Sequence, residues 1–496
     1  MRDFMGKIEW GIIAVLLIVS CIGFVAADPV HVGSIVDGTG GALLNNPHAI
    51  AVSGNYAYIP SLRSNAMEIV DVSNPAAPVH KGSITDGTGG ALLTGPWAIA
   101  VSGNYAYVAS MDSNALEIID VSNPAAPAHK GSIGNGAGGA LLGSPSGVFV
   151  SGNYAYVSSY GSNALEIVDV SNPAAPVHKG SITDGTGGAA LMWPQNVYVS
   201  GNHAYVAGFN GLEIIDVSNP AAPVHKGSIQ NGAGGALLYD PYSVRVSGNY
   251  AYVASRLSSA LEIVDISNPA APVHKGSITD GTGGALLTTP RSVFVSGNYA
   301  YVASYSSGAL EIIDVSNPAN PTHAGSLVHG AGGALLPDPQ GVFVSGNYAY
   351  VVSNSWNSLE IVDVSDYTGA TPASGGTATT EINAAIQQQL SVALTNPFAG
   401  TWSLAQGANS QNYGNLTITA NVPWSEATSA TNGDYLKNSG GTPLASRLQL
   451  NSADVTAYTS SGIGSSSTPL NFAQQVSMAD PAGSYGTVVT FTVNAV

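Results

Sequence analysis

The string ALEIVDVSNPAAPVHKGSI, residues 164–182, recurs in near-copies along the chain, and this recurrence restricts the fold more than any other feature. Its aspartate falls at Asp71, Asp120, Asp169, Asp216, Asp265, Asp314 and Asp363, so successive copies lie 49, 49, 47, 49, 49 and 49 residues apart. A period that regular means one supersecondary unit stacked on copies of itself, each covering a face its neighbour leaves open.

Each unit carries four strand signals. In the copy that begins at Gly147, GVFVSG (147–152) alternates apolar and small residues, and Gly152-Asn153 marks a two-residue hairpin. YAYVSS (154–159) places aromatic and branched residues at period two. LEIVDVS (165–171) is apolar nearly throughout, as expected where both sheet faces are covered. SNPAAP then makes a stiff turn, because Asn172 before Pro173 is biased away from helix and Ser171 and Asn172 can bond their own backbone. HKGSI (178–182) is the fourth strand, and no helical apolar stripe occurs between residues 29 and 366. Four antiparallel strands at this period predict a β-propeller blade, its strands labelled A to D from the channel outward.

Strands A, B and C occur as a triplet seven times, the last ending at Ser365. Strand D is displaced: HVGSI (31–35) stands alone before the first triplet, and no copy follows the last. Pairing residues 31–35 with the last strand C would close a seven-bladed ring and leave no bare sheet edge.

The two halves of the motif, ALEIVDVSNPAAPVHKGS and SGNYAYVAS, resemble the LVIVD-repeat proteins of bacterial and archaeal cell surfaces over residues 29–366. The resemblance implies a secreted or surface β-propeller and brings no catalytic residues with it. The DGTGGALL segments depart from a short connection.

Residues 381–496 have a different composition, richer in Asn, Gln, Ser and Thr, with strand signals at LTITANV (416–422), SRLQLNS (446–452) and GTVVTFTVNAV (486–496). Short strands with polar turns predict an Ig-like β-sandwich behind a linker at 367–380. The stretches WSL, NLTITANVPW and DPAGSYGTVVTFTV resemble Ig-like modules of archaeal surface proteins. Asn415-Leu416-Thr417 is an N-glycosylation sequon, which marks Asn415 as a glycosylation candidate on an exported chain.

Export is predicted by the N-terminus. Arg2 and Lys7 precede an apolar run from Gly11 to Val25, and Val25-Ala26-Ala27 offers the small residues of a cleavage site. Residues 1–27 are therefore read as a signal peptide cut after Ala27. Two alternatives stay open: Ile18-Val19-Ser20-Cys21 resembles a lipobox, and the run could remain uncleaved as an anchor. Membrane attachment is expected only through such an anchor or lipid. The net charge of −17, with 13 Lys and Arg, argues against nucleic acid and anionic lipid as partners.

Comparing the repeats with one another locates candidate function. The SGN hairpins and SNPAAP turns fall on one face of the disc and hardly change. The D–A and B–C loops fall on the other and differ from blade to blade. After the proline that opens strand A stand His48, Trp97, Ser146, Gln195, Tyr242, Arg291 and Gln340, and the B–C loops add Arg63, Tyr160, Phe209, Arg256, Tyr305 and Trp356. Drift in unconstrained loops would favour Ser, Gly, Asn and Asp, whereas aromatic and Arg residues are enriched at binding hot spots. The candidate ligand-binding set is His48, Arg63, Trp97, Tyr160, Phe209, Tyr242, Arg256, Arg291, Tyr305 and Trp356.

Sharper chemistry fails on spacing. The strand-D residues His31, His80, His129, His178, His225, His274 and His323 sit on separate outer strands, too far apart to share one zinc ion. Glu166 and Asp169, like their counterparts, lie an odd offset apart on one strand and so face opposite ways, which suits structural bonds to neighbouring turns better than paired acid–base work. The residues Asp37, Asp86, Asn135, Asp184, Asn231, Asp280 and His329 read as turn formers rather than a Ca²⁺ ring. No cofactor, metal or catalytic residue is expected. The reading is an all-β protein, a seven-bladed propeller (28–366) and a sandwich, acting without catalysis as an interaction, adhesion or surface-layer module whose variable face meets an extracellular protein or glycan of the cell envelope; a purely architectural protein with no ligand is a further reading. The alternative is a propeller lyase or glycosidase, for which the variable face supplies only His48 and Asp112.

Overall fold

The computed structural model describes residues 28–367 and, beyond them, strand segments between residues 390 and 495. The chain divides into two compact units, Met1–Pro372 and Ala373–Val496. The proposed signal or anchor and most of the linker lie outside the described residues. Among those described there is no α-helix, and no helix is long and apolar enough to cross a membrane.

The first unit is a seven-bladed propeller of four-stranded antiparallel sheets. The blade around residue 160 runs Pro145–Ser151, Tyr154–Ser159, Ala164–Asp169 and Val177–Thr183, in that spatial order. Gly152 takes φ 57° at the first position of the A–B turn, where a type II′ hairpin requires positive φ. The core sits between blades rather than within one. Leu165 and Ile167 of this blade pack with Val197, Val206 and Ile215 of the next, all nearly inaccessible. This explains why strand C is apolar nearly throughout: one face meets each neighbour.

Outer strands also touch the following blade. A Cβ on Gly131 would lie 2.5 Å from the Pro173 carbonyl oxygen in the next blade's SNPAAP turn, so only glycine fits the HKGSI motif there.

The last triplet, Pro339–Ser345, Tyr348–Ser353 and Ser358–Asp363, shares its sheet with Val30–Val36. That N-terminal strand runs antiparallel to Ser358–Asp363, with Val30 opposite Asp363 and Val36 opposite Ser358. One apolar cluster joins Ile35, Tyr350, Leu359 and Ile361 to Ile59, Val70 and Val72 of the first blade. No SNPAAP turn follows Asp363. A 3₁₀ turn, Ser365–Tyr367, takes its place, and the fully buried Tyr367 ring packs edge-on to Tyr299 at 5.3 Å. Tyr367, expected at the head of the linker, thus belongs to the propeller core.

In the second unit, Leu390–Thr395, Gly407–Asp434, Gln449–Leu450, Ala453–Asp454, Thr459–Val476 and Val489–Ala495 share one antiparallel sheet, and Lys437–Asn438 pairs with Tyr485–Gly486. Asn415 lies in the second of these strands, opposite Thr395 and Pro469.

Candidate functional site

The repeated polar residues build the frame. Glu68, Glu117, Glu166, Glu213, Glu262, Glu311 and Glu360 are all buried. One carboxylate oxygen of Glu166 meets His178 Nδ1 at 2.6 Å, and the other accepts the Leu141 amide at 2.9 Å. The same double contact recurs in every blade, from Glu68 with His80 and Leu43 to Glu360 with His31 and Leu335. Each glutamate therefore ties strand C to its outer strand and to the D–A crossover, and the two bonds are what make a buried carboxyl tolerable. Burial pushes these carboxyls up, for Glu311 to about 7. The strand-D histidines are thereby accounted for as structural partners.

The DGTGGALL segments form a glycine turn, with Gly38 at φ 79° and Gly41 at φ 98°. Asp37 Oδ1 accepts the Leu44 amide at 2.8 Å, and every equivalent residue does the same seven positions on, down to His329 with Leu336 at 3.2 Å. At the end of strand C, Asp169 caps its own turn, accepting the Ser171 hydroxyl at 2.6 Å.

On this frame the variable face presents two distinct surfaces. The first is central. Proline opens strand A in five blades, where no ladder N–H is needed, and precedes it in the first and fourth, whose inner strands start at Ala51 and Asn196; in all seven the residue after the proline lines the channel. His48, Trp97, Ser146, Gln195, Tyr242, Arg291 and Gln340, one per blade, all line a single cavity of about 90 Å³. His48 lies against Trp97, ring centroids 3.5 Å apart, and reaches Tyr242 across the channel at 6.4 Å. Burial, then the Arg291 cation, pulls the His48 imidazole down to about 3, so it is neutral at ordinary pH. Arg291 donates from Nη1 to Gln340 Oε1 at 2.7 Å and stacks over Tyr305 at 3.9 Å and Tyr242 at 5.4 Å.

The second surface lies outside the cavity. Tyr160 stacks on Trp193 at 6.0 Å, Trp193 meets Phe209 edge-on at 5.0 Å, and Phe209 meets Tyr239 at 5.7 Å. Trp193 and Tyr239 are 41% and 42% exposed. Of the remaining candidates, Arg256 is bound to the buried Asp240 through Nε at 2.5 Å and lies over Tyr242, Trp356 packs edge-on against His329, and Arg63 is exposed. Asp112 is exposed and does not line the cavity, so it and His48 do not meet there.

The structure thus gathers His48, Trp97, Tyr242 and Arg291 at the cavity with Tyr305 and Arg256 behind them, and places Tyr160 and Phe209 in the outer row. Three residues were missed. Trp193 and Tyr239 stand just before or near the strand-A proline, a position the repeat comparison had skipped. Arg245 lines the cavity where other blades carry Phe149, Tyr198, Phe294 or Phe343, and lies over Tyr198 at 5.5 Å and Phe294 at 5.9 Å. A cation among aromatics at one register position was the signal that could have found it.

Among solved structures, the β-propeller domain of Swd1 (Cps50) from Myceliophteria thermophila is similar to this chain with a TM-score of 0.51 at 11% identity, over 68% of this chain and 99% of that one. A functionally unknown protein from Desulfotomaculum acetoxidans is similar with a TM-score of 0.47 at 13% identity, over 63% of this chain and 93% of that one. A likeness at 11% identity speaks for the fold only. No curated protein matches the chain. The LVIVD repeat matches seven segments, residues 47–86, 96–134, 142–184, 194–231, 240–280, 289–328 and 338–371, more than half of the sequence. The chain belongs to the LVIVD-repeat family.

Proposed function

We propose that this protein is an exported, non-enzymatic recognition module whose variable face engages a glycan or protein of the cell envelope. The observation that carries this reading is the row Tyr160–Trp193–Phe209–Tyr239. Trp193 holds φ 49°, a region that costs a non-glycine residue roughly 1–3 kcal/mol, yet its ring is 41% exposed. The positive φ belongs to the turn, since Asn46, Gly95, Ser144, Asp240 and Thr289 share it at the same position, but that turn does not call for an indole, and flat exposed rings suit stacking on sugars or apolar side chains. The absence of any carboxylate from the cavity lining favours binding over glycosidase chemistry, which needs two. In this reading residues 30–36 act as the clasp of the ring, and the C-terminal residues form an Ig-like sandwich.

The test is capture by the intact chain on an array of glycans and cell-envelope proteins. A hit lost in the Trp193→Ala, Tyr239→Ala double variant supports the reading. A hit that survives it and the Trp97→Ala, Trp356→Ala pair moves the site off this face, and turnover of an arrayed polysaccharide would favour the enzyme alternative.

A further inference from the structure

The cavity at the channel mouth deepens this reading, on which it rests for its context. Its lining contains Arg245 and Arg291 and no Asp or Glu, on a chain with net charge −17. Neighbouring Arg256 shows what an arginine with a structural role looks like here: it stacks over the same Tyr242 and is neutralised by the buried Asp240. No ion pair links Arg291 or Arg245 to a carboxylate among the described residues. Arg291 bonds only the neutral Gln340 amide through Nη1, and its buried Nε has no hydrogen-bond partner. Gln340 Nε2 and His48 Nε2 are likewise unpartnered, on side chains of residues only 3% and 7% exposed. Leaving such donors unpaired away from water is costly, and an anion would satisfy all of them at once.

We propose that this cavity binds one small oxyanion group, a carboxylate, sulfate or phosphate, held by Arg291 with Gln340 Nε2 and His48 Nε2 and by Arg245 on the same lining. A guanidinium presents donors in a planar fork that matches such groups. A cavity of about 90 Å³ is several times the ~10–15 Å³ that one water needs, which leaves room for an anionic group such as a sulfate or a carboxylate. The anion is therefore either a free inorganic ion or the acidic group of a larger molecule whose body stays at the aromatic rim beside Trp97 and Tyr242.

The full chain is titrated with sulfate, phosphate and acetate at constant ionic strength against chloride, read by calorimetry and by tryptophan fluorescence. Saturable one-to-one binding is expected, weakened at least tenfold in Arg291→Met and in Gln340→Leu and unchanged in Lys130→Gln, which removes an outer-strand cation. Competition by oligogalacturonate or a sulfated oligosaccharide assigns the group to a glycan; binding of the inorganic ions without such competition assigns a free anion. No saturable binding of any of the three ions, or binding that persists in Arg291→Met and Arg245→Met, overturns the proposal. Melting curves establish that each variant is folded, and Gln340→Leu serves should an arginine variant fail. This titration needs no envelope partner, so it can fail while the array succeeds, and the reverse.

Discussion

The seven glutamates of the frame and the seven residues at the channel mouth occupy equivalent positions in the same seven blades, yet they obey opposite rules. Every buried glutamate makes the same two bonds, and every partner is supplied by the same motif. At the mouth no seven-fold pattern survives: a neutral imidazole, an indole, a hydroxyl, two amides, a phenol and a guanidinium share one cavity. A group whose role is to close a blade must be repeated as often as blades are. A group that meets one ligand on the central axis need appear only once, so each blade is free to contribute something different.

Removing part of the frame should have the largest effect. Deletion of residues 28–36 leaves Ser358–Asp363 as a bare edge and takes Ile35 and the His31 contact to Glu360 with it. At about 1 kcal/mol net per ladder hydrogen bond, with side-chain burial added, the loss comes to about 5 kcal/mol or more. The chemical denaturation midpoint should fall sharply. An unchanged midpoint would show that the ring does not depend on its clasp.

The glutamates also predict a pH dependence. Burial raises Glu311 to about 7, against the opposing pull of His323 and the Leu286 amide and with help from Asp280, and its six counterparts shift in the same direction. Between the unfolded value of about 4.5 and about 7 the folded protein therefore holds protons the unfolded chain has released, so stability is lost as pH rises through this window. Asp71 and the four equivalent aspartates shifted down by their serine hydrogen bonds act in the other direction, but only below their usual value of 3.8. Denaturation at pH 5 and pH 8 should give the lower midpoint at pH 8, with a shallower slope in Glu311→Gln. Equal midpoints would mean that the His–Glu bonds offset burial entirely.

The smallest effect on stability should come from the variable face, and its sign distinguishes that face from the frame. Trp193→Asn places at φ 49° a residue that tolerates it, so the fold should be unchanged or stabilised by up to about 1 kcal/mol while array binding is lost. A clear destabilisation would assign Trp193 to the frame.

Much of this was legible in the chain. The period, the four strand signals and the lone HVGSI led to the blade and its count, and the offset between Glu166 and Asp169 was enough to give them structural roles. The variable positions were legible as a set, because the repeats serve as controls for one another. Their division was not. Arg256 and Arg291 look alike in sequence, and only packing shows that one is spent on Asp240 and the other is not. Tyr367 looked like linker because a single aromatic carries no periodicity, and its burial follows from the SNPAAP turn missing after Asp363, whose place it fills.

The sequence by itself determined the architecture, since hydrophobic alternation, turn chemistry and the repeat period are local properties that add up the same way in every copy. The tertiary structure decided which residues from seven separate blades share about 90 Å³ at the axis and which pair off before reaching it. That choice depends on distances between residues some fifty positions apart, and on where burial leaves a charge without a counter-charge. Neither quantity exists until the ring has formed.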